Sequence, residues 1–218
     1  MSVRAADARG VIFDMDGVLI DSGAHHRDAW RLLLGDMGVE PPPDYWRLTI
    51  GRPAEEAVPL LLGRAVAREE AVALAARKRE LYTQLTARGM VAIPGAPAFV
   101  EVLVRLDVPR AVATSASRRD AEVLLGEVGL RQHFGTIVTA EDVQWGKPNP
   151  EVYLKAAAGI ALPPRTCLVF EDSLVGVHAA RNAGMRVIGV TTAHTGRELV
   201  GAGAERAITD FQGFAWPV

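Results

Sequence analysis

Val11-Ile12-Phe13-Asp14-Met15-Asp16-Gly17-Val18 is the stretch whose reading decides the fold. A short apolar run stops at two aspartates with one residue between them, and a glycine follows. An apolar run without polar alternation fits a strand buried on both faces, as in a parallel sheet. The same pattern returns along the chain. Ala111-Val112-Ala113 ends at Thr114, and Ile137-Val138 follows Phe134 and Gly135. Leu168-Val169-Phe170 ends at Glu171-Asp172, and Val187-Ile188-Gly189-Val190 ends at Thr191. Helical patterns lie between these runs, over about 96–106, 118–128, 150–159 and 173–183. The last has Asp172 or Ser173 as N-cap and Gly184 at the position just past its end. This alternation predicts right-handed βαβ crossovers and a Rossmann-like α/β core with a doubly wound parallel sheet.

Residues from about 22 to 90 break the alternation. They carry helical patterns over 29–37, 54–62 and 69–87, and Pro41-Pro42-Pro43 separates the first two. Pro94-Gly95 marks the return to strand and helix. The expected organisation is a core of residues 1–20 and 93–218, with an α-helical insert at 21–92 and hinges near 21–23 and 92–95.

Bulk properties narrow the class. The 218 residues are 49% hydrophobic and 23% charged, as in a soluble globular protein. A formal charge of −2 provides no basic field for nucleic acid. The one cysteine, Cys167, lies in an apolar run and cannot form an internal disulfide, so it is expected to pack in the core in a reducing compartment. No apolar run nears the roughly 18 residues that span a bilayer, and residues 1–10 lack the apolar centre of a signal peptide. No heptad or sustained apolar helix face stands out. The expectation is a cytoplasmic monomer that binds neither membrane nor nucleic acid.

In open α/β sheets, ligands bind beyond the carboxyl ends of the strands. That rule gathers Asp14, Asp16, Thr114, Ser115, Glu171 and Asp172 into one region, with Lys147 in the loop Trp145-Gly146-Lys147-Pro148. Crowded acids repel unless a cation sits among them, and hard oxygen ligands suit Mg²⁺. A lysine and a hydroxyl aimed at the same point supply donors for phosphate oxygens. The helix start after Ser115 adds backbone N–H groups, which also favour an anion. Acids, metal and phosphate donors together imply phosphoryl transfer, in which a carboxylate can act as nucleophile through an aspartyl-phosphate. Each motif has a plainer reading. Asp14 and Asp16 could form the turn before Gly17, Glu171 and Asp172 could cap a helix, and Lys147 could be a solvated loop lysine.

Asp14-Met15-Asp16-Gly17-Val18, Thr114-Ser115, Lys147-Pro148 and Glu171-Asp172-Ser173, in that order, resemble the haloacid dehalogenase (HAD) superfamily. The position of the insert resembles its helical-cap subfamily, which includes β-phosphoglucomutase and many sugar phosphatases. The resemblance implies that Asp14 is the nucleophile and a Mg²⁺ ligand. Asp16 would be the general acid/base, with its backbone carbonyl on the metal. Asp172 would be the third protein ligand, and Glu171 would ligate the metal or support its waters. Thr114 would hold the transferring phosphoryl oxygens, Ser115 would bind substrate beside it, and Lys147 would neutralise charge on Asp14 and the phosphate. In the insert, the resemblance places His26 (with His25 as competitor) near Asp16, Arg52 on a substrate phosphate and Lys78 in the cleft. Trp30 is expected in the core. Arg118 and Arg119 either bind an anion or begin a helix.

The implied activity is a Mg²⁺-dependent phosphatase acting on a small phosphate monoester, a sugar phosphate. The alternative is a β-phosphoglucomutase-like phosphomutase that returns the phosphoryl group to a sugar. Ser22 stands where the mutases carry a hinge threonine, and Thr114-Ser115-Ala116-Ser117 departs from their loop. Both weigh towards the phosphatase. The dehalogenases of the superfamily lack an aspartate at the place of Asp16, which weighs against dehalogenation.

Overall fold

A computed structural model describes residues 8–87 and 89–217. Its strands are β1 (Gly10–Phe13), β2 (Arg110–Ala113), β3 (Thr136–Val138), β4 (Cys167–Glu171), β5 (Arg186–Val190) and β6 (Arg206–Ile208). All pair in parallel, in the order β3-β2-β1-β4-β5-β6. The chain builds outward from β1 to β3 on one side, then returns to lay β4 against the other side of β1. The switch point therefore falls between β1 and β4, where open α/β sheets form their binding crevice. In register, Phe13 stands opposite Phe170, so Asp14 and Glu171 emerge side by side at the strand ends.

Strand residues alternate between two buried layers. On one face Phe13 packs with Phe99, Phe134, Phe170 and Phe211, and Phe214 closes the group against Phe99 and Phe170. These are all 6 phenylalanines of the chain. On the other face Ile12, Ala113 and Val169 meet Tyr153 and Val177. The helices of the core are α4 (Ala96–Arg105), α5 (Arg118–Glu127), α6 (Glu151–Gly159), α7 (Leu174–Asn182) and α8 (Gly196–Gly201). Ser173 caps α7 by accepting the Gly176 N–H, and Gly184 follows that helix at φ +77°. Cys167 is fully buried, and burial pushes its thiol up to about 11, as suits a packing residue.

Between β1 and α4 lie α1 (Gly23–Asp36), α2 (Ala54–Leu62) and α3 (Arg68–Thr86). Helix α3 buries Ala71, Ala75, Lys78 and Tyr82, a stripe at helical spacing that holds one lysine. The two chain segments joining these helices to the sheet run antiparallel. Asp21 N–H donates to Val91 O at 2.9 Å and Ile93 N–H to Leu19 O at 3.0 Å.

Helix α1 begins at Gly23, well before the predicted residue 29. Its first turns carry His25, His26, Arg27 and Asp28, whose polarity hid the apolar period. Strand β6 and helix α8 were not anticipated. The strand is three residues long and part-exposed at the sheet edge, although the capping box of Thr195 and Glu198 does announce α8. The reading of residues 1–10 as no signal peptide falls largely outside the described residues. Among the described residues, no helix is long and apolar enough to cross a membrane.

Candidate active site

The floor of the site is a buried charge cluster. Lys147 Nζ donates to Asp14 Oδ1 at 2.6 Å and to Glu171 Oε2 at 2.8 Å. Both contacts lie out of solvent, so the solvated-loop reading of Lys147 fails. Burial alone would lower Lys147, but the two carboxylates outweigh it and raise the lysine well above its ordinary value. Glu171 is held below its ordinary range against the opposing pull of burial, chiefly by Lys147. Its Oε2 also accepts from the Tyr153 hydroxyl, while Oε1 accepts from the Ser173 hydroxyl (2.6 Å) and from the Ser173 and Asp172 N–H groups.

Asp14 and Asp172 lack such support. Burial, with Glu171 beside it, pushes Asp14 up to about 8 despite Lys147. Burial and the charges of Glu171 and Asp14 raise Asp172 well above its ordinary value. Among the described residues the Asp172 carboxylate is met only by the Thr192 hydroxyl, at 3.2 Å, and that hydroxyl lies closer, at 2.7 Å, to Gly17 O. Gly17 has φ +72°, and a Cβ there would lie 2.1 Å from Asp172 Oδ2. Conformation and space both demand glycine at this turn.

Asp14, Glu171 and Asp172 each offer a carboxylate oxygen, all within 4.8 Å of one another. Acids held this close, with two of the three driven towards protonation, fit a divalent cation with hard oxygen ligands. The Asp16 side chain is not among these three.

A stability test follows from the cluster. Asp14 titrates near 3.8 when unfolded and near 8 when folded, so the folded protein binds more protons between those values. Its contribution to stability therefore falls as pH rises through that window. The rise in melting temperature caused by Mg²⁺ should therefore grow from about pH 5 to about pH 8. A Mg²⁺ shift equal at both ends would count against these acids as the metal seat.

Asp16 points the other way, towards the helices of the insert. Ser22 Oγ donates to Asp16 Oδ1 at 2.5 Å, and His26 Nε2 lies 3.1 Å from the same oxygen. His26 Nδ1 meets Lys78 Nζ at 2.7 Å. A lysine donating to Nδ1 assigns the proton of a neutral imidazole to Nε2, which then donates to Asp16. Burial and the Lys78 charge lower His26, in agreement with the neutral form. Burial pushes Lys78 down to about 8. It also opposes ionisation of Asp16, but His26, Ser22 and Lys78 prevail and hold Asp16 below its usual value. Tyr82 stacks on His26 with ring centres 4.2 Å apart, and the Lys78 ammonium lies over the Tyr82 and Trp30 rings. His26 rather than His25 makes the contact, and Trp30 is buried as expected.

The remaining candidates line a cavity of about 1090 Å³ above this floor. Thr114 is buried and accepts the Ala116 N–H at 3.0 Å. The Ser115 hydroxyl donates to Gly51 O at 3.2 Å, linking the phosphate-type loop to the insert. Arg52 is half-buried in the cavity wall. Arg118 opens α5 and pairs with Asp142, so it serves the helix start. Tyr153, Thr192 and Gly176 were not singled out from the sequence. Only Tyr153 had a local cue, its place one helical turn after the Lys147 loop.

A doubly wound sheet with acids and a buried lysine at its switch point, under a layer of inserted helices, defines an α/β enzyme with a carboxylate-centred site. The chain belongs to the haloacid dehalogenase-like hydrolase family, whose model matches residues 11–190. It is 35% identical over 210 residues to validoxylamine A 7'-phosphate phosphatase of Streptomyces hygroscopicus subsp. limoneus, covering 94% of this chain and 95% of that one. It is 33% identical to fructose-1-phosphate phosphatase YqaB of Escherichia coli, covering 83% of this chain and 95% of the relative. The crystal structure of β-phosphoglucomutase from Clostridium difficile superposes with a TM-score of 0.85, covering 96% of this chain and 94% of that one. At 23% identity that likeness establishes the fold.

Proposed function

We propose that the protein is a Mg²⁺-dependent phosphatase that hydrolyses a sugar phosphate through an aspartyl-phosphate on Asp14. It acts as a cytoplasmic monomer, with residues 21–92 as a cap over the core of 1–20 and 93–218. The observation that carries this reading is the division of labour between two aspartates. Asp14 lies on Lys147 at the sheet end, while Asp16 is held by Ser22 and His26 of the insert.

An oxygen of Asp14 attacks phosphorus, and the bond from phosphorus to the alcohol oxygen breaks. Asp16 gives that oxygen its proton. Water then attacks the aspartyl-phosphate, Asp16 takes the water's proton, and inorganic phosphate leaves. The proton gained in the second step is the one donated in the next turnover, so the cycle closes. The contacts from Ser22 and His26 favour the carboxylate that activates water, and a phosphate dianion entering beside it raises its proton affinity. Lys147 neutralises Asp14 and the phosphoryl oxygens. Thr114 and the N–H groups after Ser115 hold those oxygens. Held by Asp14, Asp172 and the Asp16 carbonyl, with Glu171 behind them, Mg²⁺ would supply charge neutralisation on the transferring group. The cap excludes bulk water.

The relatives named for validoxylamine A 7'-phosphate and fructose 1-phosphate support a sugar-phosphate substrate. The phosphomutase alternative needs cap cations for a second phosphate, and the engagement of two of the three candidates favours the phosphatase. His26 and Lys78 are engaged with Asp16 and each other. Arg52 alone of the three remains, with the Glu56 charge beside it. Phosphate release from a panel of sugar phosphates and bisphosphates tests the reading. Release is expected with Mg²⁺ and should fall about 100-fold or more in EDTA. If no ester released phosphate, while glucose 1-phosphate isomerised once a bisphosphate was added, the mutase would replace the phosphatase.

A further inference from the structure

The backbone of Asp172 is held from two sides. Its N–H donates to Glu171 Oε1 at 3.2 Å, and its C=O faces His194 Nδ1 at 3.1 Å. A carbonyl only accepts, so Nδ1 carries the proton and donates. His194 is 7% exposed and sits in the loop of residues 191–195, between β5 and α8. Thr192 of the same loop lines the cavity, with its hydroxyl 2.7 Å from Gly17 O and 3.2 Å from Asp172 Oδ2. Strand β4 separates β5 from β1. The loop therefore reaches across the end of β4 and touches the turns that follow both β4 and β1. Its own ends are fixed. The Thr191 N–H donates to Ile208 O at 2.9 Å, and the capping box of Thr195 and Glu198 opens α8.

These contacts perform no step of the proposed reaction, yet they bear on its metal. Asp14, Glu171 and Asp172 present carboxylate oxygens within 4.8 Å of one another. Like charges this close repel, and rotation about Cα–Cβ would let Asp172 swing away. Glu171 is locked by Lys147, Tyr153 and Ser173, and Asp14 by Lys147. For Asp172 the corresponding restraint comes from the 191–195 loop. His194 fixes the peptide that sets the direction of its Cα–Cβ bond. Thr192 stands against Oδ2 and joins it to the turn that carries the Asp16 carbonyl. A ligand held in place before the ion arrives costs less to order on binding. We infer that His194 and Thr192 are positioning residues for the divalent-cation seat, setting Asp172 against the Gly17 turn so that the seat is formed before the cation enters. This rests on the phosphatase reading and assigns the residues that keep its metal ligand in place.

The test measures Mg²⁺ binding itself, by calorimetry and by the melting shift that Mg²⁺ produces. Removing a partner that orients a metal ligand typically costs about 10–100-fold in metal affinity. His194→Ala should accordingly weaken Mg²⁺ binding by about tenfold or more. Thr192→Val keeps the side chain's shape, removes the hydroxyl and should weaken binding severalfold. His194→Asn offers an amide N–H near the place of Nδ1 and should regain most of the loss, and Thr192→Ser should behave as the wild type. Melts in EDTA report the fold separately. A purely structural part would lower those melts and leave the Mg²⁺ affinity of the folded protein unmoved, and that result overturns the inference. If His194→Ala does not fold, Thr192→Val decides, and an affinity equal to the wild type's overturns it. Phosphate release from p-nitrophenyl phosphate reports the phosphatase reading independently. A wild type that releases phosphate with Mg²⁺, while both variants bind Mg²⁺ as tightly as it does, overturns this inference alone. A wild type that neither binds Mg²⁺ nor releases phosphate overturns the phosphatase reading and this inference together.

Discussion

Asp14→Asn should remove phosphate release almost completely, by about 10⁴-fold or more, since it deletes the proposed nucleophile on which the other groups would act as a unit. Asparagine has the shape of aspartate, and its carbonyl oxygen can still accept from Lys147 at the position of Asp14 Oδ1. The fold should therefore persist. Stability carries a second, opposite sign. Burial and the neighbouring Glu171 raise Asp14 to about 8, so above that pH the wild type holds a carboxylate in surroundings that oppose its charge. The neutral amide relieves this. In EDTA at about pH 8 the variant should melt higher than the wild type, and its Mg²⁺ response should shrink. Phosphate assays and thermal melts on the same preparations check both claims. Activity within tenfold of wild type would remove Asp14 from the nucleophile's role, whatever the melts showed.

The second large effect is expected from a change that looks harmless. Gly176 is inside α7, where alanine is ordinarily the better helix former by about 1 kcal/mol. Its φ is not positive, so alanine meets no backbone strain. Yet a Cβ there would stand 2.0 Å from Glu171 Cδ and 2.1 Å from Oε2. Glu171 is fully buried and anchors Lys147, Tyr153, Ser173 and the Asp172 N–H. It cannot yield without breaking that set. Disrupting a buried charged pair costs about 3–5 kcal/mol, far more than the helix gains. Gly176→Ala should therefore destabilise the protein by several kcal/mol, about 3–5, and lower kcat about 100-fold as Lys147 loses its seat. Denaturant unfolding and steady-state kinetics measure the two effects. A stabilised, fully active variant would show that Glu171 can move freely, contrary to the packing seen here.

The legible parts of the chain were those written in local pattern. Asp14, Thr114 and Glu171 could be grouped because each follows an apolar run, and strand ends share one edge of a parallel sheet. Prolines and helical spacing between about 22 and 90 interrupt the strand rhythm, and helices α1 to α3 lie in that stretch. Lys78 shows where that reading meets its limit. Its place in the 71, 75, 78, 82 stripe is written in the spacing, but a basic residue on a helix ordinarily faces water. Only the folded chain shows that His26, Trp30 and Tyr82 receive it. Gly176 and Thr192 were out of reach for another reason. Their parts depend on close approach to Glu171 and Asp172, and no local period encodes such proximity.

The phenylalanine cluster has a consequence for how the protein is made. Phe13 carries Asp14 on its shoulder, and its ring rests against Phe211, nearly the full length of the described chain away. Every acid, hydroxyl and lysine of the site precedes Phe211 in the sequence. A chain emerging from the ribosome therefore displays all its chemical groups while the bed beneath the first strand is unfinished. Contacts of such long sequence separation form late, because the loop must close before they stabilise anything. Competence should arrive only once Phe211 has emerged, and nascent chains ending short of Phe211 should be recognised by chaperones and proteases as unfinished.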